Sequence, residues 1–499
     1  MKLTKNDVIG IFLLMLIFWL GVLRQVELPG LYMDAVNPDY LAAQTLNPGL
    51  QNPAWVIPTA AFPILGNLYH GVQNYYVDLI TFRLLGVSVT SVRISQALFG
   101  AATVALLYLI TVLATRNRIA AFIGAALLAT DIAFIASFRT QFYIILGGEM
   151  WLFASLAALW YGRRIGFFLS GMFLGLATYG YFVLGFFGPA MLILMLSRPD
   201  RKPAVWILGC FVGVLPYVAG YASLESALGG FPQAIEWLRH ATQDLAPLSS
   251  KLSAWASLKY TLSAAYLAIT NAGNEFMIFG QSVGGIWGTI KAGGFIAVFL
   301  AAIALLKRER RFLVFLLPIS YLIFGIILGS RLWAHHFSVL VPVAYLLLAM
   351  TLAEVIESRS SIWIATACAL VFFAGNLHQG DNFYRKLRLT GGTNLTTAAT
   401  TTLANDALSE PKTLYVFPDW GFFMPFVLLT ENRIPYVLET GQIDKSKCQC
   451  DRVRVAFWKA SDASKYNAAL TEKGLHDVET KTYNRIDGAP AFYVTTGVY

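Results

Sequence analysis

Two carboxylates near the start of the chain lie in surroundings that favour acid–base chemistry. The stretch LPGLYMDAVNPDYLAAQTLNPG, residues 28–49, places Asp34 and Asp39 five residues apart, and Tyr40 follows the second acid. Apolar and aromatic residues flank both acids, and desolvation by such neighbours raises the pKa of a carboxyl group. A carboxyl group with a raised pKa can act as a general base near neutral pH. The stretch therefore predicts a catalytic acid.

A second polar stretch, GSRLWAHHF at residues 329–337, combines a guanidinium with two imidazoles. Arg331 precedes His335 and His336 by four and five residues, so all three side chains can donate hydrogen bonds to one anion. The planar fork of arginine suits phosphate oxygens. The alternative is an interfacial belt, in which the aromatic side chains lie at a membrane surface and the arginine anchors a helix end. The stretch is thus either a phosphate site or a membrane anchor.

The elements that must position these residues are membrane helices. Of the 499 residues, 57% are hydrophobic and 13% are charged, and the mean hydropathy is +0.60. A soluble protein of this size could hardly bury so much apolar surface in one core. The net charge of +9 lies in short basic clusters between apolar runs, which is typical of cytoplasmic loops. Nucleic-acid binding needs a continuous basic face, so we expect no nucleic-acid partner.

Alternating the apolar runs across a bilayer gives a consistent topology. A span needs roughly 20 apolar residues to cross about 30 Å of hydrocarbon. With the N-terminus inside, every short basic loop falls on the cytoplasmic side, and the two polar stretches fall on the outer side. About 11 spans are predicted, at 8–26, 92–114, 119–137, 142–160, 165–181, 183–197, 203–222, 291–306, 312–329, 338–355 and 362–377. The fold class is therefore a polytopic α-helical membrane protein.

Two longer segments between the spans are expected on the outer side. Residues 27–90 are broken by proline and glycine, and the patches WVIPTAAFPILGNLYHG and YYVDLITFRLLG within them predict short helices in the membrane interface. Residues 223–290 form the second segment, in which 254–272 predicts an interfacial or re-entrant helix. An additional span at 254–290 would place the basic cluster KRERR outside, which the distribution of positive charge opposes.

After residue 377 the sequence becomes polar, and helical patterns alternate with strand patterns. Helices are predicted at 393–410, 420–433 and 461–474, and strands at 412–419, 451–460, 476–486 and 489–497. Residues 1–377 are therefore expected to form the transmembrane domain, and residues 378–499 a small α/β domain on the outer face. No phosphate loop or nucleophile elbow occurs in it, so we expect a capping role. Its CQC motif, Cys448 and Cys450, is open to a disulfide.

The order of motifs in the N-terminal part of the chain resembles the GT-C membrane glycosyltransferases of the protein mannosyltransferase and aminoarabinose-transferase type. The resemblance lies in NPAWVIPTAAFPILG, FRLLGVSVTSVRISQALFGAATVALLYLI and RIAAFIGAALLATDIAFIASFRTQFYIIL, residues 52–66, 82–110 and 118–146. It implies a GT-C fold and the transfer of a sugar from a polyprenyl-phosphate donor to a lipid, glycan or protein acceptor. The reaction is expected on the periplasmic side of a bacterial inner membrane.

The resemblance also implies a role for the first-loop acid. That acid corresponds to Asp34, or with a shift to Asp39 followed by Tyr40 as a substrate contact. We expect Asp34 to be the base of an inverting displacement and Asp39 to orient the acceptor or the loop, with the reverse assignment open. No cofactor is required for this chemistry. The two aspartates are only a partial ligand set, so a divalent cation is an alternative rather than the expectation.

The resemblance further implies a cation beside the donor phosphate. The family's cationic residue falls on Asn52-Pro53 in this chain, so another donor must replace it. Arg139, Arg331 and the pair His335 and His336 are the candidates. Such donors would stabilise the charge that develops on the departing phosphate.

Two other functions are compatible with a many-span protein. A secondary transporter would place polar groups near the membrane midplane and often carries a repeat between its halves, whereas the polar groups here gather at one face. A polysaccharide polymerase or ligase would also act on lipid-linked glycans at the outer face. It would rely on a large late loop, whereas the acids of this chain come first.

Overall fold

This computed structural model describes residues 4–48, 63–243, 252–306, 314–357 and 362–499. Within these residues, a helix forms at every predicted span. The helices are α1 (Lys5–Leu23), α2 (Asp39–Leu46), α3 (Gln73–Leu85), α4 (Val89–Thr115), α5 (Arg118–Thr130), α6 (Ile132–Ser137), α7 (Tyr143–Tyr161), α8 (Arg163–Gly180), α9 (Gly188–Leu196), α10 (Pro203–Ala227), α11 (Phe231–Gln243), α12 (Ala254–Ile269), α13 (Ala272–Phe279), α14 (Ile286–Leu305), α15 (Leu316–Leu328), α16 (Leu340–Glu357), α17 (Ile362–Thr390), α18 (Ala399–Ser409), α19 (Phe423–Leu429), α20 (Lys445–Cys448) and α21 (Ala463–Glu472). The strands are β1 (Leu65–Asn67), β2 (His70–Gly71), β3 (Thr413–Val416), β4 (Tyr436–Val437), β5 (Arg452–Phe457), β6 (His476–Asn484) and β7 (Pro490–Val498).

The helical bundle has the composition of a membrane domain. Among the described helices, 6 are long and apolar enough to cross a membrane: α1, α4, α7, α10, α14 and the segment 334–357 that contains α16. Shorter apolar helices occupy 118–130, 182–196 and 316–331. The predicted polytopic α-helical fold is thereby confirmed. The basic cluster KRERR, which supports the predicted orientation, lies outside the described residues.

The predicted span 119–137 consists of two helices, because Asp131 interrupts it. The Asp131 carboxylate accepts the backbone N–H of Ala133 at 2.6 Å and so caps α6. It also forms a buried ion pair with Lys291 of α14, with both carboxylate oxygens 3.0 Å from Nζ. Tyr345 of α16 donates its hydroxyl hydrogen to the same carboxylate. One polar centre therefore joins the α5–α6 break, α14 and α16 inside the bundle.

The first loop departs from the prediction at one of its two apolar patches. Residues 73–85 form α3 as expected, but the described part of the other patch folds as the antiparallel hairpin β1–β2 instead of a helix. The Asn67 side chain accepts the N–H of Leu68 at 2.7 Å, which favours a turn over a helix. Gly71 lets the hairpin lie on Tyr179, since a Cβ atom there would stand 2.3 Å from the ring. Asn52-Pro53 lies outside the described residues.

The C-terminal residues fold as the predicted small α/β domain. Its sheet has the strand order β4-β3-β5-β7-β6. β3 pairs in parallel with β4 and β5, and β7 lies antiparallel between β5 and β6. A helix or strand occurs at each position predicted for this region, and β4 and α20 are additions that the sequence pattern does not predict. Cys450 is disulfide-bonded, and the side chain of Cys448 lies outside the described residues.

The first loop and the C-terminal domain share one hydrophobic core. Buried side chains of the loop, such as Met33 and Tyr75, pack in the same cluster as Phe422, Phe426 and Phe492 of the domain. In addition, α17 is continuous from residue 362 to residue 390 and passes the predicted domain boundary at 378 without a linker. The domain is therefore held by a helix of the bundle and by the loop together.

The buried pair Asp131–Lys291 predicts a strong effect of a single substitution. Lys291→Met leaves the Asp131 carboxylate buried without its counter-charge, so we expect it to lower the free energy of unfolding by about 3 kcal/mol. The measurement is the midpoint of thermal unfolding in detergent. Asp131→Asn combined with Lys291→Met should recover most of the loss. Lys259→Met, at an exposed lysine of α12, is the matched control. A Lys291→Met protein that melts with the wild type would contradict the buried pair.

Candidate active site

Asp34 begins a short 3-10 helix, Asp34–Val36, that polar side chains of α4 hold in place. The Gln96 amide donates a hydrogen bond to the Ala35 carbonyl at 2.8 Å. Close to it on α4, Arg93 donates to the carbonyl of Phe138 at 2.9 Å and to that of Pro29 at 3.5 Å. Backbone groups outside regular structure need such partners when they are buried. The start of α4 therefore fixes the backbone around the Asp34 carboxylate.

Asp34 is a half-buried residue, and its carboxyl group differs from that of an ordinary surface acid. Burial raises its pKa from 3.8 to about 6, and a hydrogen bond from the Tyr32 hydroxyl opposes part of this rise. Burial and the Asp34 charge in turn raise the pKa of Tyr32, so Tyr32 keeps its proton and remains a donor. At neutral pH the Asp34 group is largely ionised, and it is basic enough to accept a proton.

Aromatic and imidazole side chains surround this carboxyl group. Burial and the neighbouring Asp34 charge raise the pKa of Tyr69 to about 12. Tyr69 and His70 lie against Tyr181, with ring centroids 5.4 and 5.8 Å from the Tyr181 ring. On its other side, the Tyr181 hydroxyl oxygen is 3.2 Å from Nε2 of His336. The first loop, the turn after α8 and the loop before α16 therefore meet in one cluster.

Both nitrogens of the His336 ring have partners. Nδ1 lies 3.0 Å from the backbone nitrogen of Trp333 and 3.3 Å from its carbonyl oxygen, and Nε2 lies 3.2 Å from the Tyr181 hydroxyl oxygen. His335 lies against His336 with the ring centroids 4.0 Å apart, and its Nδ1 is 3.0 Å from the Gln141 amide nitrogen. The structure thus brings the predicted histidine pair into the cluster that contains Asp34.

Asp39 has a different environment from Asp34. It is fully buried on α2, accepts a hydrogen bond from the Asn74 amide at 2.9 Å and bonds to the carboxyl group of Asp78. Burial raises the pKa of both carboxyl groups, and the charge of Asp39 raises that of Asp78 further. Ser95 of α4 donates its hydroxyl hydrogen to Asp78. Asp39 thereby connects α2, α3 and α4, and protein atoms cover its oxygens.

Tyr40 lies in the shared core, away from solvent. Its ring packs edge-to-face on Phe423 of α19, with the centroids 6.4 Å apart, and only 1% of the residue is exposed. Tyr40 therefore joins the first loop to the C-terminal domain.

Arg139 binds the end of α1. It is 1% exposed, and its terminal nitrogens donate at 2.5–2.9 Å to four backbone carbonyls, those of Val22, Arg24, Gln25 and Leu28. The last carbonyls of a helix have no partner within the helix, so a cation suits this position. A guanidinium engaged in this way has its terminal nitrogens occupied and does not offer them to a phosphate.

Arg331 is the exposed cation among the residues predicted to bind phosphate. It ends the 3-10 turn Gly329–Arg331, on the same loop as His335 and His336. Within the part of the chain that the structure describes, its guanidinium makes no hydrogen bond or ion pair. This loop thus offers one histidine bonded into the cluster and one arginine that a ligand can use.

The described residues contain no group of three or more His, Cys, Asp and Glu side chains placed to hold a metal ion. A divalent site built on Asp34 and Asp39 would need both carboxyl groups on one ion. Asp39 is instead bonded to Asp78 and Asn74, which leaves Asp34 as a single ligand.

Several residues of the cluster around Asp34 are not identified by the sequence patterns. Tyr32 lies two residues before Asp34, and Tyr69 and His70 lie in the same loop, which is the only signal the sequence offers for them. Tyr181 is indistinguishable from an ordinary span-end tyrosine. Trp420 lies near the other end of the chain, between β3 and α19, and its side chain is hydrogen-bonded to Tyr32.

The chain has the fold of the GT-C membrane glycosyltransferases. The structure superposes on ArnT from Cupriavidus metallidurans bound to undecaprenyl phosphate with a TM-score of 0.63 and 13% identity, covering 99% of this chain and 98% of that one. It superposes on the oligosaccharyltransferase of Archaeoglobus fulgidus, tethered to an acceptor peptide, with a TM-score of 0.54 and 12% identity, covering 94% and 71% of the two chains.

At the level of sequence, residues 70–221 match the family model described as dolichyl-phosphate-mannose-protein mannosyltransferase. No curated protein sequence matches the chain. The resemblance and the GT-C fold predicted from the sequence are confirmed, and the family description names the predicted enzyme class, a glycosyltransferase with a lipid-phosphate-linked sugar donor. The matched segment contains Tyr181 and Arg139 but does not reach Asp34 or the loop 329–337.

The two arginines predicted to bind phosphate should respond differently to substitution. Arg139→Met leaves the carbonyls at the end of α1 without donors, so we expect the free energy of unfolding to fall by about 2–3 kcal/mol. Arg331→Met removes an exposed side chain, so we expect the free energy of unfolding to stay within about 0.5 kcal/mol of the wild-type value. Thermal unfolding in detergent measures both changes. An Arg139→Met protein with the wild-type melting temperature would show that Arg139 does not support the fold in this way.

Proposed function

We propose that this protein transfers a sugar from a polyprenyl-phosphate donor to a hydroxyl of an acceptor, with Asp34 as the base. The observation that carries the proposal is the position of Asp34, a partly accessible carboxylate with a pKa of about 6 at the end of a GT-C bundle. Asp39, with its covered oxygens, then acts as a positioning residue. ArnT, which shares the fold, binds undecaprenyl phosphate, and a lipid of that class is the proposed donor here.

The proposed reaction is a single displacement at the anomeric carbon. The acceptor oxygen forms a bond to that carbon while the bond between the carbon and the phosphate oxygen breaks. The polyprenyl phosphate leaves with the electron pair, and the acceptor proton passes to the Asp34 carboxylate. The configuration at the anomeric carbon is inverted. Tyr32 holds the carboxylate by its hydrogen bond, so the oxygen that takes the proton is fixed in place.

Cationic and polar donors must stabilise the phosphate that leaves. Arg331 is exposed without a protein partner in the described residues, and His335 and His336 are on the same loop. We assign the donor phosphate to this loop, because an arginine can bind two phosphate oxygens at once. Arg139 is not required for this contact. A monophosphate leaving group needs only such donors, so the proposed mechanism requires no metal, and a divalent cation is the alternative.

We place the reaction on the periplasmic side of a bacterial inner membrane, with the C-terminal domain on that side. The basic clusters between the spans support this orientation, since positive charge marks the cytoplasmic loops. The acceptor is a lipid, a glycan or a protein with a free hydroxyl group.

A transport assay separates this proposal from its main alternative. The purified protein in vesicles is incubated with a radiolabelled polyprenyl-phosphate sugar and membranes of a deletion strain as the acceptor source. Appearance of label in a product other than the donor supports a transferase. Uptake of unchanged donor into the vesicle lumen supports a transporter, and joining of preformed glycans supports a polymerase or ligase.

Substitution of the base gives the first activity prediction. Asp34→Asn keeps the size of the side chain but cannot accept a proton, so we expect sugar transfer to fall by at least about 100-fold. Burial disfavours the ionised carboxyl group, so the variant should melt at or above the wild-type temperature at pH 8. Asp381→Asn, at an exposed acid of α17, should transfer like the wild type. Undiminished transfer by Asp34→Asn would exclude Asp34 as the base.

The pH dependence of transfer gives a second test of the same group. The base must be ionised, and burial sets the pKa of Asp34 to about 6. We therefore expect kcat to be constant above pH 7 and to fall about tenfold per pH unit below about pH 6. Initial rates at saturating donor concentration, measured between pH 4.5 and pH 8, follow this fall of kcat at acidic pH. A profile that stays nearly flat down to pH 4.5, as a group with the ordinary carboxyl pKa of 3.8 would give, would show that Asp34 is not the group that titrates.

A further inference from the structure

A small polar cavity lies one turn along the chain from Asp34. Its volume is about 20 Å³, and side chains of the first loop and α7 line it, among them Asn37, His70, Asn74 and Tyr143. Asn37 ends the 3-10 turn that Asp34 begins, and its backbone N–H donates to the Asp34 carbonyl at 3.4 Å. A cavity of this size holds one group about as large as a water molecule.

Several polar atoms of these side chains have no protein partner. Asn37 is 6% exposed, and its side-chain oxygen accepts no hydrogen bond in the part of the chain that the structure describes. Tyr143 is 3% exposed, and no described residue bonds to its hydroxyl group. The Asn74 amide nitrogen donates to Asp39, whereas the Asn74 amide oxygen has no partner among the described residues. Buried polar groups are normally hydrogen-bonded, so unbonded ones that line a cavity indicate a ligand or an ordered water.

His70 supplies a hydrogen-bond acceptor to the same cavity. Its Nδ1 lies 2.9 Å from the Gly71 carbonyl oxygen, and because a carbonyl oxygen can only accept, Nδ1 carries the proton. Burial lowers the pKa of His70 from 6.5 to about 4, so the ring is neutral at neutral pH. Nε2 therefore has a free lone pair, and no described residue donates to it.

The lining of the cavity determines the kind of group that fits. Asp, Glu, Lys and Arg side chains are absent from this lining, as far as the described residues form it. A buried phosphate would need a cation, and a buried ammonium group would need a carboxylate. The lining instead offers donors, the Tyr143 hydroxyl and the Asn37 amide, together with acceptors on His70 and Asn74. A hydroxyl group both donates and accepts, and it is about as large as water.

We propose that this cavity is a subsite for one hydroxyl group of the substrate sugar, with Nε2 of His70 as the acceptor and the Tyr143 hydroxyl as the donor. The inference rests on the proposed glycosyltransferase function. We assign the hydroxyl to the transferred sugar, which carries several such groups whatever the acceptor is and must place its anomeric carbon beside Asp34. A hydroxyl of a glycan acceptor would have the same chemistry. A sugar without this hydroxyl would leave buried polar groups unpaired and would be rejected.

Two substitutions in α7 alter the cavity in different ways. Tyr143→Phe removes the hydroxyl donor and keeps the ring, which packs on Phe138 with the centroids 5.7 Å apart. Gly147→Ala adds a methyl group to the lining, and its Cβ atom would lie 3.5 Å from the Tyr143 hydroxyl oxygen, an ordinary contact distance. Both variants should therefore melt close to the wild-type temperature in detergent. The matched controls are Tyr217→Phe, at another buried hydroxyl without a described partner, and Gly293→Ala, at a glycine in open surroundings.

Donor binding gives a readout that does not depend on transfer. The probes are undecaprenyl phosphate and its glucose, mannose, galactose and arabinose conjugates. Wild-type protein should bind at least one conjugate about tenfold more tightly than undecaprenyl phosphate, and one monodeoxy analogue of that conjugate should lose the gain. The gain should fall about fivefold or more in Tyr143→Phe and disappear in Gly147→Ala, because the first lacks a donor and the second fills the space. Both control variants should keep the gain.

The outcomes separate the subsite from its alternatives. If the gain persists in both α7 variants and KM for the acceptor rises instead, the bound hydroxyl belongs to the acceptor. If neither quantity changes, or if no conjugate binds more tightly than undecaprenyl phosphate and the acceptor KM is unaltered, the cavity holds only an ordered water. The inference is then wrong, while sugar transfer by the same proteins leaves the proposed function intact. If the wild type transfers no sugar but the gain depends on Tyr143 and Gly147, the proposed function fails and the hydroxyl subsite stands.

Discussion

The structure depends on how buried backbone outside regular helices obtains its hydrogen bonds. The loop that carries Asp34 leaves the end of α1 and packs against the C-terminal domain, and its carbonyls lie among apolar side chains. Arg93 and Gln96 of α4, together with Arg139, supply donors to this backbone. Unsatisfied carbonyls in such surroundings would cost about 1–3 kcal/mol each. The same three side chains therefore stabilise the loop and determine where the carboxylate points.

The arrangement divides two neighbouring acids between two purposes. Asp39 is enclosed with Asp78 and Asn74 and ties three helices together, while Asp34 keeps part of its surface accessible. Both have raised pKa values because both are removed from water, but only an accessible acid can exchange a proton with a substrate. Burial alone thus does not identify a catalytic acid. The accessibility of the side chain to a substrate distinguishes Asp34 from Asp39.

Much of the fold follows from the sequence because its signals are local. The spans are apolar over the thickness of a bilayer, and the helices and strands after residue 390 have clear periodicities, so both are predicted at the observed positions. The hairpin β1–β2 is missed because an apolar patch hides a turn set by Asn67. The site is predicted only in part. Asp34 and His336 stand out as polar residues in apolar surroundings, whereas the bonds of Arg139 to α1 and of Trp420 to Tyr32 join residues far apart in the chain. A sequence pattern without contacts cannot supply such pairs.

The continuity of α17 has a geometric consequence for the C-terminal domain. The helix runs unbroken for 29 residues, roughly 44 Å, from the bundle into the sheet domain. Each residue added to or removed from a helix turns its far end by about 100° and shifts it by about 1.5 Å. The angle of the sheet domain relative to the bundle therefore depends on the number of residues in α17 as well as on the shared core with the first loop. An exchange of C-terminal domains between proteins of this fold has to preserve that number, even where the residues of the helix differ.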